Sequence, residues 1–205
     1  RFVTQATARP RQRPVVVGFG PAGIFAALVL AQMGFAPIVV ERGKAVRERT
    51  RDTWGLWRNK VLDPESNVQF GEGGAGTFSD GKLYSQIKDP HHYGRKVLTE
   101  FVKAGAPEEI MYVSKPHIGT FRLVGMVEKM RAEIQALGGE IRFALAADRA
   151  ELQATVADRA VLQLAVGVLL ELVPAPAGRR ELFVSGEHDQ ASSLGLMAND
   201  SVART

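Results

Sequence analysis

Pro14-Val15-Val16-Val17-Gly18-Phe19-Gly20-Pro21-Ala22-Gly23 opens the stretch that decides the fold of this chain, and Pro37-Ile38-Val39-Val40-Glu41-Arg42 closes it. The first valine run is a compact β-branched segment, read as a buried strand that stops at Gly18. Residues 21 to 33 follow as a helix: Pro21 sits in the tolerated first turn, and Ile24, Ala27, Leu28 and Ala31 recur at helical spacing. Gly34 closes that helix, and Pro37 to Val40 is a second buried strand ending at Glu41. Two buried strands around a helix of this length predict a right-handed parallel crossover.

The turn between strand and helix spells Gly18-x-Gly20-x-x-Gly23. Gly18 serves the tight turn, Gly20 lets a pyrophosphate approach the backbone, and Gly23 lets helix and strand pack closely. The helix N-terminus adds unpaired N–H groups and a partial positive charge. Glu41 lies about twenty residues beyond Gly18, where a carboxylate accepts hydrogen bonds from a ribose diol and disfavours a 2′-phosphate. The motif reads as a dinucleotide site, and the glycine pattern alone is compatible with FAD or NAD.

Outward from this unit, Phe2-Val3-Thr4 is a candidate short strand in a polar, Arg/Pro-rich segment, residues 1 to 13, read as a linker or the end of a preceding domain. Lys44 to Trp57 is a polar, helix-compatible segment, and Asp63 to Gly81 is Gly-rich and irregular. Tyr93 to Ala104 predicts a helix. Thr120 is the expected N-cap of another, running to Leu137 with Leu123, Met126, Val127, Met130, Ile134 and Leu137 on one apolar face. Gly138-Gly139 ends it, and Glu140 to Phe143 is a candidate third strand. Composition shifts after Phe143: Ala144 to Val173 is Ala/Leu/Val-rich, and residues 187 to 205 lack apolar periodicity.

Composition bounds the chemistry. There is no cysteine, which excludes disulfides, thiolate metal sites and cysteine nucleophiles and points weakly to the cytoplasm. The apolar stretches Ile24–Val40 and Val161–Val173 are short and interrupted, so no membrane span is expected. Net charge is +4, with basic groups at Arg1, Arg9, Arg11 and Arg13 and at Arg42, Lys44, Arg47, Arg49 and Arg51. These read as solvated surface or local partners of the nucleotide site rather than as a nucleic-acid track. His91, His92, His117 and His188 show no metal spacing, so no metal site is expected. Trp54, Trp57 and Phe78 are read as core residues, with the lining of a cofactor cleft as the alternative.

The segment Phe70-Gly71-Glu72-Gly73-Gly74-Ala75-Gly76-Thr77-Phe78-Ser79-Asp80-Gly81-Lys82-Leu83 contains a second G-x-G-x-x-G. No apolar strand precedes it, and Asp80-Gly81 stops any following helix, so it is not a second dinucleotide fingerprint. Nor is it a kinase loop, because the accompanying kinase motifs are absent. A surface loop is one remaining reading. The favoured one is a loop that returns to the first motif and lies along the cofactor, with Thr77, Ser79 and Lys82 as donors. Glu72 and Asp80 are read as turn formers rather than as an acid–base pair.

The segments GFGPAGIFAALVLAQMGF, ERGKAVRERTRDTWGLWR, NVQFGEGGAGTFSDGKL and SKPHIGT, in that order, resemble a family of uncharacterised bacterial FAD-dependent dehydrogenases related to the NAD(P)/FAD oxidoreductases. The likeness covers about residues 1 to 143. It implies a Rossmann-like α/β FAD/NAD(P)-binding fold over residues 14 to 143, with FAD held at Gly18, Gly20, Pro21, Ala22, Gly23, Glu41 and Arg42. The Gly73-Gly74-Ala75-Gly76 loop would lie near the pyrophosphate or ribityl chain, and NAD(P)H is a candidate electron donor. Pro21-Ala22 and the Glu41-Arg42-Gly43 ending favour FAD over NAD on this resemblance. Phe121 stands where the family pattern leads one to expect an acid. The late Gly-Asp segment that closes such FAD sites is missing, and residues 144 to 205 do not resemble the family. A truncated or frame-shifted product, favoured over a divergent C-terminal region, would leave the fold incomplete. The flavin ring would carry the electrons, so no catalytic side chain is assigned. A non-catalytic nucleotide-binding fragment and an NAD-linked dehydrogenase are the competing readings.

Overall fold

A computed structural model describes residues 2–7, 12–83 and 88–144. The Ala/Leu-rich segment after Ala144 and the tail to Thr205 lie outside the described residues, as do Arg1, Arg9, Arg11 and His188.

The chain forms a mixed α/β structure around a small parallel sheet. Strand β1 (Val15–Val17) leads through α1 (Pro21–Gln32) to β2 (Ile38–Val40). Helix α2 (Val46–Asn59) follows, then an irregular stretch holding one 3-10 turn at Ala75–Phe78. Helix α3 (Tyr93–Lys103), a second 3-10 turn at Glu108–Met111, α4 (Thr120–Ala136) and β3 (Glu140–Arg142) complete the described elements. Sheet order is β1-β2-β3, all parallel, with Val16 opposite Val39 and Val39 opposite Ile141.

The valine runs form strands because β-branched side chains suit a pleated surface buried on its faces. Val16 and Val39 enter the core with Ile24, Ala27, Leu28 and Ala31 of α1 and with Leu123, Met126, Val127, Met130 and Ile134 of α4. Helix α1 ends in a Schellman turn: the Gly34 N–H donates to the Ala31 carbonyl and the Phe35 N–H to that of Leu30, with Gly34 at φ +90°. The same pair of bonds ends α4 at Gly138-Gly139. Arg13 fastens the sheet's lower end, donating from Nε to the Ala36 carbonyl (2.6 Å) and from Nη1 to Glu140 (2.7 Å).

Four expectations are corrected. Phe2-Val3-Thr4 is not a strand; the N-terminal segment is tied to the end of α1 instead, through the Ala6 N–H to the Met33 carbonyl and Gln5 Nε2 to the Gln32 carbonyl. Gly119, not Thr120, occupies the α4 cap position, and no side chain caps that end. Leu137 lies past the last turn and is largely exposed, so the apolar face stops at Ile134. Trp54 and Trp57 are not core residues. The inward face of α2 is Val46, Arg49 and Thr53, which turns the two indoles outward at 47% and 56% exposure. They pack edge-to-face with ring centroids 5.8 Å apart, and Arg58 lies over Trp54. Among the described residues no helix is long and apolar enough to cross a membrane.

Two glycines separate packing from propensity. A Cβ on Gly23 would lie 1.9 Å from the Gly18 carbonyl oxygen, whereas one on Gly125, inside α4, would meet nothing within 4 Å. Gly23→Ala should therefore destabilise by about 3 kcal/mol through overpacking. Gly125→Ala should stabilise by about 0.5–1 kcal/mol, the helix-propensity gain. Urea unfolding of both variants checks the opposite signs.

Candidate functional site

The first glycine turn leaves β1 at Gly18, whose N–H donates to the Val40 carbonyl (2.8 Å) and so fixes the turn against β2. Helix α1 begins at Pro21. Its first bond into the helix runs from the Ile24 N–H to the Gly20 carbonyl (2.9 Å). The Ala22 and Gly23 amides therefore have no acceptor within the helix. Pro21 and Ala22 are exposed, so the mouth of α1 is open to solvent.

Glu41 lies beside this turn, as its spacing predicts, but nearly buried. Its Oε2 accepts the Phe19 N–H (2.6 Å) and its Oε1 accepts the Gly43 N–H (2.9 Å). One carboxylate thus joins the first turn to the end of β2, and each oxygen keeps acceptor capacity for a further donor. Arg42 forms a bidentate pair with Glu65 (2.7 and 2.9 Å) and stacks over Phe70. That pairing holds the Glu65 carboxyl below its ordinary value.

The second glycine loop comes back onto the first. The Gly73 N–H donates to the Phe19 carbonyl (2.8 Å), and a Cβ on Gly74 would stand 3.2 Å from the Gly20 Cα. Gly71, Gly73 and Gly74 take φ of +117°, +86° and +67°, which only glycine adopts without strain. Ala75 and Gly76 emerge on the surface. The structure thus gathers Gly20, Pro21, Ala22, Gly74, Ala75 and Gly76 at one open mouth, with Gly18, Gly23, Glu41 and Gly73 behind it.

The donors expected from this loop are differently employed. Thr77 is buried and spends its hydroxyl inside the loop, on the Gly74 carbonyl (3.0 Å) and on Arg49. Ser79 bonds the Gly76 carbonyl (2.6 Å), and Lys82 pairs with Asp80. Phe78 is half-buried beneath the Arg49 guanidinium. Asp80 is a turn former, accepting the Lys82 N–H, but Glu72 is not. Fully buried, Glu72 accepts the Val46 N–H (2.7 Å) and caps α2 from outside the helix. It also pairs with Arg131 (2.8 Å), while its Oε1 has no hydrogen-bond partner. Burial pushes the Glu72 carboxyl up, against the Val46 amide and Arg131, which pull it down.

In sequence Arg49 stands out only as one of a group of basic residues, yet it is the residue around which the loop is built. It is fully buried and donates to the carbonyls of Asn67 (2.7 Å), Val68 (2.7 Å) and Glu72 (2.7 Å). Loss of solvent lowers its pKa to about 10, with Glu41 and Glu72 opposing that shift. Its signal in the sequence is a cation on the helix face shared with Val46 and Thr53. Two further cations of this run are paired locally, Lys44 with Asp52 and Asp63, and Arg47 with Glu128, while Arg51 is exposed. His91, His92 and His117 are exposed.

No family model matches the chain. The chain is 57% identical over 141 residues to an uncharacterized protein of Clostridium beijerinckii. That alignment covers 69% of this chain and 26% of the relative, so the chain spans about a quarter of the relative's length.

An acid with a folded-state pKa above its ordinary 4.5 keeps a proton in the native state that the unfolded chain has released. The stability tied to Glu72 is therefore complete below that value and declines as pH rises through the folded pKa. Glu72→Gln removes the titration, so its stability relative to the native chain should rise with pH across that window. Urea midpoints measured from about pH 4 to pH 8 would show it.

Proposed function

We propose that this chain is the FAD-binding part of a flavin-dependent oxidoreductase of Rossmann-like fold, with the adenosine diphosphate half of FAD at the mouth of α1. The observation that carries the reading is the bond from the Gly73 N–H to the Phe19 carbonyl, which sets the second glycine loop against the first. An ordinary βαβ turn has no need of a second glycine loop closed over it.

The residues at the mouth suit a diphosphate. The Ala22 and Gly23 amides and the positive end of α1 offer donors and partial charge to its oxygens. Gly20 and Gly74 leave the approach free of side chains. Glu41 is set to receive ribose hydroxyls while still holding the Phe19 and Gly43 amides, and its charge opposes a 2′-phosphate. Pro21-Ala22 and Glu41-Arg42-Gly43 favour FAD over NAD by resemblance. Bound flavin supplies the two-electron chemistry, and the chain's own residues bind and orient it.

Two observations favour placing turnover in a longer protein. The relative is about four times as long as the aligned part. Strand β1 also has an open edge: parallel pairing turns the Val16 amide and carbonyl toward β2, so those of Val15 and Val17 face away with no strand beside them among the described residues. An apolar parallel strand left open on one side fits a sheet that continues beyond these three strands. In this reading the chain anchors the cofactor, and the substrate is met by other parts of the protein.

Purified chain should take up FAD and show oxidised-flavin absorbance near ~450 nm. A colourless protein that fails to retain added FAD would count against the proposal. Glu41→Ala should weaken FAD binding by roughly tenfold or more through loss of the ribose hydrogen bonds, read by titration with a parallel check of the melting midpoint. Unchanged affinity would remove Glu41 from the site.

A further inference from the structure

Among the described residues, a fully buried arginine with no ion pair to a carboxylate lies one layer behind the mouth of α1. Arg49 Nη1 donates to the Glu72 carbonyl (2.7 Å). The N–H of that same peptide unit belongs to Gly73, and it donates to the Phe19 carbonyl (2.8 Å). The N–H of the Phe19 peptide belongs in turn to Gly20, which has no acceptor among the described residues. In a trans peptide the C=O and N–H point in opposite directions, so the guanidinium and two peptide units form a head-to-tail row. The row ends on the Gly20 amide at the mouth. Hydrogen bonds in such a row polarise one another, and the low dielectric of the interior preserves the effect.

We propose that Arg49 is a positioning residue for a diphosphate ligand, setting the direction and donor strength of the Gly20 amide through the Glu72–Gly73 and Phe19–Gly20 peptide units. The inference rests on the FAD reading and adds a residue that touches no ligand. Lysine cannot replace Arg49 in this role. The guanidinium fans over acceptors on both sides of the loop, Asn67 and Val68 before it and Glu72 and Thr77 within it. A single ammonium reaches fewer of them and leaves buried carbonyls unpaired. Gly71 belongs to the same arrangement, because a Cβ there would press on Arg49 Cδ at 2.5 Å.

The test compares ADP, which carries the diphosphate, with adenosine, which lacks it, on the full 205-residue chain. Arg49→Lys should weaken ADP by about tenfold or more while adenosine changes by less than about threefold. The Gly20 amide proton should move upfield in the nitrogen–proton correlation spectrum of the unliganded variant. Thr77→Val, which removes one member of the fan without touching the cation, should give a smaller change in the same direction, and Thr77→Ser should restore native behaviour. Should Arg49→Lys fail to fold, the two Thr77 variants decide the matter by the same comparison. Equal losses for ADP and adenosine would make Arg49 a general prop of the fold and overturn the proposal. Native-like ADP binding in the variants would overturn it while leaving the nucleotide site in place. A native chain that binds neither compound would instead overturn the FAD reading, and this inference with it.

Discussion

Backbone packed directly on backbone is the constraint on which the rest of the structure depends. A Cβ on Gly23 would overlap the Gly18 carbonyl, one on Gly43 would lie 2.4 Å from the Gly71 Cα, and Gly74 rests on Gly20 and Pro21. Bringing strand end, helix start and loop this close removes the side chains that normally fill a core. It also crowds peptide groups into a space with little water. Those groups must be satisfied from within, and three polar, ionisable side chains do it. Glu41 collects two amides, Arg49 collects carbonyls, and Glu72 caps α2. Ionisable side chains appear in this interior because the backbone there has too few partners of its own.

That division explains what the sequence made legible. Strands, helices and chain reversals come from local patterns: β-branched runs at Val15–Val17 and Ile38–Val40, helical spacing in α1 and α4, and glycines at Gly34 and Gly138 that end them. The first glycine turn and Glu41 were readable because their spacing is set by one strand–helix–strand unit. The return of the second glycine loop to that unit was also readable, from its composition.

The roles inside the loop were not legible, because they depend on which faces meet. Arg49 looks like one of several cations on a polar helix until α2 is seen to present Val46, Arg49 and Thr53 inward. Glu72 looks like a turn residue until α4 brings Arg131 to it. Thr77 looks like a phosphate donor until the loop closes around its hydroxyl. The indoles of Trp54 and Trp57 show the converse: large apolar side chains displaced to the surface because the inner face of their helix is taken by the buried cation.

The two strand pairs of the sheet also differ in how much chain they must close. Strands β1 and β2 are joined through one short helix, whereas β3 begins at Glu140 and pairs with β2 across everything between Glu41 and Gly139. Closing so long a segment costs more chain entropy, and contacts of high sequence separation form late. The βαβ unit can therefore be in place before β3 arrives. The Glu41 N–H is bonded to the Arg142 carbonyl, so its backbone position depends on that long-range strand. The residue that links the first turn to the end of β2 thus has its backbone fixed by a long-range strand pair, and the candidate site depends on completed folding rather than on its own local sequence alone.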